Sequence, residues 1–216
     1  MVVARLAIDR WRLRRVEGLS FWRVLGTGKG SDSAFGADLR RSALFAVWRD
    51  ESDLDRFLLT HPIARRWRRG DEAWHVRLRG LGGHGGWRGV AVTDGLVTGR
   101  ADGPVVIVTR ARVRRRSWRA FAESSRAVNV SLRSADGLLG VVGIGEAPVG
   151  RLGTFSLWTS LAAAGRFASL DAAHLEATER ARSEGWFAEE LFARFEPYGS
   201  SGTWDGRDPL AGAQAR

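Results

Sequence analysis

Cysteine is absent from this 216-residue chain, and with it go disulfides, thiolate nucleophiles, cysteine-ligated iron–sulfur clusters and thiolate-ligated haem. Lysine is nearly absent as well: of 34 basic residues only Lys29 is not arginine. Long apolar runs are also missing. Nothing approaches the roughly 18 consecutive apolar residues of a spanning helix, and the apolar start at Val2 to Ala4 is broken by Arg5. The sequence therefore predicts neither a signal peptide nor a membrane span, with the cytoplasm as default compartment and peripheral contact as the limit of any membrane association.

What is present suffices for a core. A hydrophobic content of 44% with 10% aromatics indicates a globular chain, long enough for one large domain or two of roughly 100 residues. The formal charge of +10 would attract nucleic acid, anionic headgroups or an acidic protein, without choosing among them. GC-rich coding gives the same arginine bias.

Along the chain, Val2 to Trp11 reads as a strand, and Arg12 to Phe21 as a turn with a short helix. Phe21 to Gly36 runs from an aromatic pair through a strand into a glycine-rich loop. Ala43 to Trp48 is a strand, after which Asp50 and Ser52 can cap a helix whose buried stripe is Leu54, Phe57 and Leu58. Pro62 opens a further helix to about Arg69, and Ala73 to Leu78 is a closing strand. Gly80 to Val90 is too rich in glycine for a regular element and predicts a loop anchored by Trp87. Thr93 to Gly103 reads as a linker. VVIVTRARV after Pro104 predicts a buried central strand. A helix over Arg115 to Ala127, strands at Leu138 to Ile144 and Gly153 to Trp158, helices near Leu161 to Ser169 and Asp171 to Glu184, and a strand at Leu191 to Glu196 follow.

The second half repeats the first. FAVW (Phe45 to Trp48) matches FSLW (Phe155 to Trp158) at an offset of 110, and Arg56-Phe57 matches Arg166-Phe167 at the same offset. GTG at Gly26 echoes GIG at Gly143, Trp11 echoes Trp118, and GGWRG echoes GTWDG. Each copy runs strand, helix, strand, strand, helices, strand, the order of a ferredoxin-like unit. The fold class expected is α+β: tandem ferredoxin-like units, 1–92 and 104–210, joined by a linker at 93–103, closing an intrachain dimeric α/β barrel, with 211–216 as a tail.

GTGKGS fails the phosphate-loop pattern, since Arg23 holds the first glycine position and Gly30 follows Lys29. Its echo in GIG predicts a strand bulge or a tight backbone approach. The arginines from Arg110 to Arg119 could meet phosphates, but no nucleic-acid module accompanies them and no nucleic-acid partner is expected. Strand alternation puts Arg110 and Arg112 on one side, where they either line a pocket and meet a carboxylate or form a solvated basic face. Trp48 with Trp158, and Trp87 with Trp204, occupy repeated positions and read as scaffold.

The four histidines are His61, His75, His84 and His174, and none shares metal-ligand spacing with another. His174 falls on a helical stripe with Leu170, Ala177 and Ala181, which predicts a core-facing imidazole beside small residues that leave room for a flat ligand. A lone histidine on such a face is by default a hydrogen-bonded core residue. The repeat discriminates, because the residue at the same place in the first copy is Ala64.

In these residues the chain resembles the spheroidene monooxygenase family of haem-containing, carotenoid-oxidising enzymes. The resemblance is carried by FWRVLGTGKG, AVWRDE, TRARV, VGIGEAPVGRLGTFSLW, HLEATERARSEGWFAEELFARF and GTWDGRDPL, in that order. It implies a monooxygenase with haem b that uses dioxygen and a ferredoxin-type donor to oxidise a hydrophobic polyene at an allylic methylene to hydroxyl or ketone. HLEAT carries over onto His174 as the candidate iron ligand, TRA onto Arg110, and the FW pair onto Phe21 and Trp22. On that reading Ala177 and Ala181 flank the haem, Arg110 or Arg112 clamps a propionate, and Phe21, Trp22 and Trp158 wall the substrate channel. The stretch from Gly80 to Gly103 departs from the family by its glycine content. A haem- or polyene-binding protein without turnover, or a haem-dependent dehydratase or peroxidase on the same barrel, are the alternatives.

Overall fold

The computed structural model describes residues 9–29, 32–92, 99–146 and 150–212. Its seven strands are β1 (Leu19–Lys29), β2 (Asp32–Trp48), β3 (Trp74–Gly85), β4 (Val105–Val113), β5 (Leu138–Gly145), β6 (Arg151–Trp158) and β7 (Phe187–Gly202). The helices are α1 (Glu51–Thr60), α2 (Pro62–Trp67), α3 (Trp118–Arg133), α4 (Leu161–Leu170) and α5 (Ala172–Ser183). One antiparallel sheet runs β2-β1-β5-β6-β4-β7-β3, so the second copy has the ferredoxin-like order β5-β6-β4-β7. The expected strand at Val2 to Trp11 falls mostly outside the described residues, and from Asp9 to Leu13 the chain is helical. No helix among the described residues is long and apolar enough to cross a membrane.

Two elements locate the internal symmetry. At the offset of 110, α1 and α4 match residue for residue, as do their N-caps: the Asp50 carboxylate accepts from Ser52 N and the Ser160 hydroxyl from Ala163 N. His61 and Asp171 then each end one helix and cap the next. The ring pairs Trp48–Phe57 (5.1 Å) and Trp158–Phe167 (5.6 Å) repeat too.

An offset of 117 governs the seams. β1 meets β5 through Gly26↔Gly145 and Thr27↔Ile144, and β3 meets β7 from Trp74↔Gly202 to Gly85↔Leu191. The turns beyond these strands agree in their backbone. Trp87 bridges to Val90 and Trp204 to Arg207, with φ positive at Arg88 (55°) and Gly89 and again at Asp205 (54°) and Gly206. Two successive left-handed residues make the type I′ turn that suits a twisted hairpin.

The expected loop from Gly80 is strand as far as Gly85, paired to Phe195 through Leu191 with a register shift between Gly80 and Gly82. The GTG stretch also lies within a strand, and the expected bulge is present as register shifts flanking Thr27–Gly28. The alternative of a tight approach does not hold at Gly26, where an added Cβ would make ordinary contact at 3.8 Å.

The inner face of the sheet packs Phe21, Leu25, Trp87, Val106, Val108, Ile144, Leu157, Leu191, Ala193 and Phe195, with Phe45 stacked on Trp87 at 5.4 Å. Leu210 closes this lumen as a fully buried plug, held by the Asp208 carboxylate, which accepts from Trp74 Nε1, Ser200 Oγ and Leu210 N. Outside the sheet, α1 and α2 cover the first copy with Phe57, Ile63 and Ala64, while α4 covers the second with Ala163 and Ala164.

Candidate functional site

Two places in the structure carry chemistry, on opposite faces of the sheet. The first surrounds His174 in α5. Asp171 Oδ1 accepts from His174 N at 2.8 Å and from Ser131 Oγ at 3.0 Å, tying the start of α5 to α3. Phe167 supports the imidazole at 5.3 Å between centroids, and His174 Nδ1 lies 3.1 Å from the Ala168 carbonyl. A carbonyl only accepts, so Nδ1 carries a proton, and in the neutral imidazole that leaves the lone pair on Nε2.

The expectation that His174 faces the core is corrected by its surroundings. α5 buries no side chain fully and packs chiefly on α3 and α4; Ala177 and Ala181 are half-buried and Leu170 is 74% exposed. In the middle of β4 the helix-side residues Ile107, Thr109 and Ala111 are half-buried, although Val105 and Val113 at its ends are buried, whereas Val106, Val108 and Arg110 on the lumen side are buried. In the first copy, Ala64 at the place of His174 is only 2% exposed. The residues around His174 thus fit a haem: small side chains, a loosely covered sheet face and an imidazole oriented through its other nitrogen by a carbonyl.

The second place is the end of the lumen where β4, β6 and β7 meet the turn at Trp87. Glu146, 3% exposed, accepts from Trp87 Nε1 at 2.6 Å and pairs with Arg88 Nε at 2.7 Å, Arg110 at 3.5 Å and Arg23 at 3.7 Å. Glu189 pairs with Arg110 and accepts from Gly89 N at 2.8 Å. Burial alone would raise the pKa of Glu189, but the Gly89 N–H and the Arg110 guanidinium outweigh it and hold the carboxylate below its usual range. Burial lowers the pKa of Arg23, assisted by Arg88 and Arg110 and opposed by Glu146. A pocket of about 300 Å³ opens here, lined by Arg88, Arg110, Arg112, Arg151 and Glu189.

The expected site residues are therefore dispersed. Arg110 and Arg112 do line a pocket, and Arg110 does meet carboxylates, but on the lumen side, while His174 stands against Phe167, which itself packs on Trp158, on the helix side. A propionate clamp by Arg110 or Arg112 on a haem held by His174 does not follow from this placement. Phe21, Trp22 and Trp158 do not wall one channel either. Phe21 packs in the lumen, Trp22 beside α1, and Trp158 under α4. Adjacent strand residues point to opposite faces, which already separates Phe21 from Trp22. Glu146 and Glu189 are absent from the sequence reading; the signal that could reveal them is the repeat, since Arg88 stands where the other turn has Asp205.

The fold is that of an α/β barrel built from two ferredoxin-like units in one chain. Among solved structures, an aldoxime dehydratase superposes with a TM-score of 0.53 at 12% identity, covering 90% of this chain and 76% of that one. No family profile matches the sequence. Curated relatives do: spheroidene monooxygenase of Rhodobacter capsulatus is 32% identical over 97% of this chain and 88% of its own length, and that of Cereibacter sphaeroides is 29% identical over 98% of this chain and 66% of its own length. The chain belongs to the spheroidene monooxygenase family.

Proposed function

We propose that this protein is a haem-dependent monooxygenase acting on a carotenoid-like polyene, with His174 as the iron ligand. Membership of a family whose relatives bear the name spheroidene monooxygenase supports oxygen insertion into a polyene. The observation that carries the haem assignment is the His174 imidazole, its Nδ1 committed to the Ala168 carbonyl and its Nε2 available, at a position where the first copy packs an alanine. A haem held there supplies the dioxygen activation that oxidation of an allylic C–H bond requires.

The chain's own residues orient that ligand. The Ala168 carbonyl fixes the tautomer, Phe167 backs the ring, Asp171 anchors the helix start, and Ala177 and Ala181 leave space beside it. Hydroxylation consumes one dioxygen, two electrons and two protons, placing one oxygen atom in the substrate and the other in water; a second round on the same carbon gives the ketone. Having no cysteine for a cluster, the chain takes electrons from an external donor, and its charge of +10 suits an acidic ferredoxin.

The test is a haemin titration followed by turnover with dioxygen, a reduced ferredoxin and an acyclic carotenoid. Wild-type protein should develop a Soret band at one haem per chain and yield an oxygenated polyene, and His174→Ala should lose the band while retaining its far-UV circular dichroism. An unchanged Soret band in the variant removes His174 as ligand. Bound haem without product favours a binding protein.

A further inference from the structure

We propose that the lumen end beside Trp87 is a binding site for a small doubly charged anion, of carboxylate or phosphate chemistry, independent of the haem site. Among the described residues, five guanidinium groups (Arg23, Arg88, Arg110, Arg112 and Arg151) gather at this end against two carboxylates, Glu146 and Glu189, a surplus of three positive charges. Arg110, with only 2% of its side chain exposed, lines the pocket, yet its Nε makes no hydrogen bond and its Nη2 only a long ion-pair contact with Glu146 at 3.5 Å. A buried cation with unused donors is costly unless something accepts from them.

Arg112 and Arg151 sharpen the case. They lie directly opposite each other on β4 and β6, and like charges in that register repel. Neither forms an ion pair among the described residues, since Glu189, the other cross-strand neighbour of Arg112, is engaged by Arg110 and Gly89. An oxyanion between them would convert the repulsion into two charge-assisted contacts.

The opposite end of the barrel supplies an internal control. There Glu72 accepts from Gly206 N at 2.7 Å, as Glu189 accepts from Gly89 N, and Arg41 occupies the place of Arg151. Arg41 is neutralised by Asp205 at 2.5 Å and Glu72 at 3.5 Å. At the Trp87 end the counterpart of Asp205 is Arg88, so the carboxylate that silences one end is replaced by another cation. The same frame is closed electrostatically at one end and left anion-seeking at the other.

Calorimetric titration of the full chain with inorganic phosphate and with succinate, at ionic strength held constant by sodium chloride, tests this. Saturable binding of at least one of the two, at one per chain, is expected; the tighter ligand identifies the chemistry. Arg112→Gln combined with Arg151→Gln should weaken binding at least tenfold, and Arg41→Gln should leave it unchanged. No saturable heat above the chloride background, or equal affinity in the double variant, overturns the proposal. So does loss of the haemin Soret band in the double variant, which would mean that these arginines clamp propionates. Failure of His174 to bind haem leaves the phosphate result untouched, so the two readings fail separately.

Discussion

His174 and Ala64 occupy one position in two copies of the same helical corner, 110 residues apart, and only the alanine is packed against its sheet. The duplication thus holds a built-in comparison. One copy closes its helix layer, and the other keeps it loose around an imidazole.

Ala64→His should therefore be damaging without being functional. Forcing an imidazole into a position only 2% exposed overpacks the layer of Phe57 and Ile63, at a cost of about 1–3 kcal/mol. Chemical denaturation should show that loss, and haem stoichiometry should stay at one per chain.

Asp171 links stability to ligand placement. Its carboxylate caps α5 at His174 N and holds Ser131, so Asp171→Ala should cost about 0.5–2 kcal/mol, the usual range for a lost N-cap. Asp171→Asn keeps an acceptor and should restore most of it. Haemin affinity measured on the same pair should follow the same order.

The two turn tryptophans should part company on losing their indole N–H. Trp87→Phe strips Glu146 of a 2.6 Å hydrogen bond inside a buried charge cluster, which should cost about 1–3 kcal/mol. Trp204 is half-buried and packs on Trp74 and Phe155, so Trp204→Phe should cost less. Urea midpoints of the two variants decide the order.

Acid should weaken the fold through two histidines. Burial, then Arg12, lowers the pKa of His61, and burial, then Arg68, lowers that of His75. His61 also caps α2 by accepting from Ile63 N at Nδ1, which requires an unprotonated nitrogen there. With native values below the ordinary 6.5, unfolding takes up protons. Their stabilisation is complete above about pH 6.5 and declines as pH falls toward the native pKa values. Melting temperatures at pH 7.5 and 5.5 should diverge in the wild type, and less so in a His61→Asn, His75→Gln variant.

Much of this architecture is legible in the sequence where local signals and burial agree. Val105–Val113 is bounded as its apolar run suggests, because a central strand is paired along both edges, here to β6 and β7. Asp50 advertises its cap in a short polar run. The glycines from Gly80 to Gly85 mislead, because what makes them strand is a ladder to β7 that no local window contains. The charge cluster hides for the same reason: Arg110, Glu146 and Glu189 come from three separate strand ends. The echo of GGWRG in GTWDG does set Arg88 against Asp205, but the partners these turn residues meet, Glu146 for Arg88 and Arg41 for Asp205, lie far off in the chain.

The β3–β7 seam also sets a schedule for making the molecule. Its pairs span from 106 residues (Gly85 to Leu191) to 128 (Trp74 to Gly202), so β3 leaves the ribosome long before its partner exists. Such distant pairings are slow to form, and an unpaired strand edge invites the wrong neighbour. Arg77 and Arg79 in alternate positions of β3 put charge on that waiting edge, a safeguard for a nascent chain whose first half stays unfinished until its second half is translated.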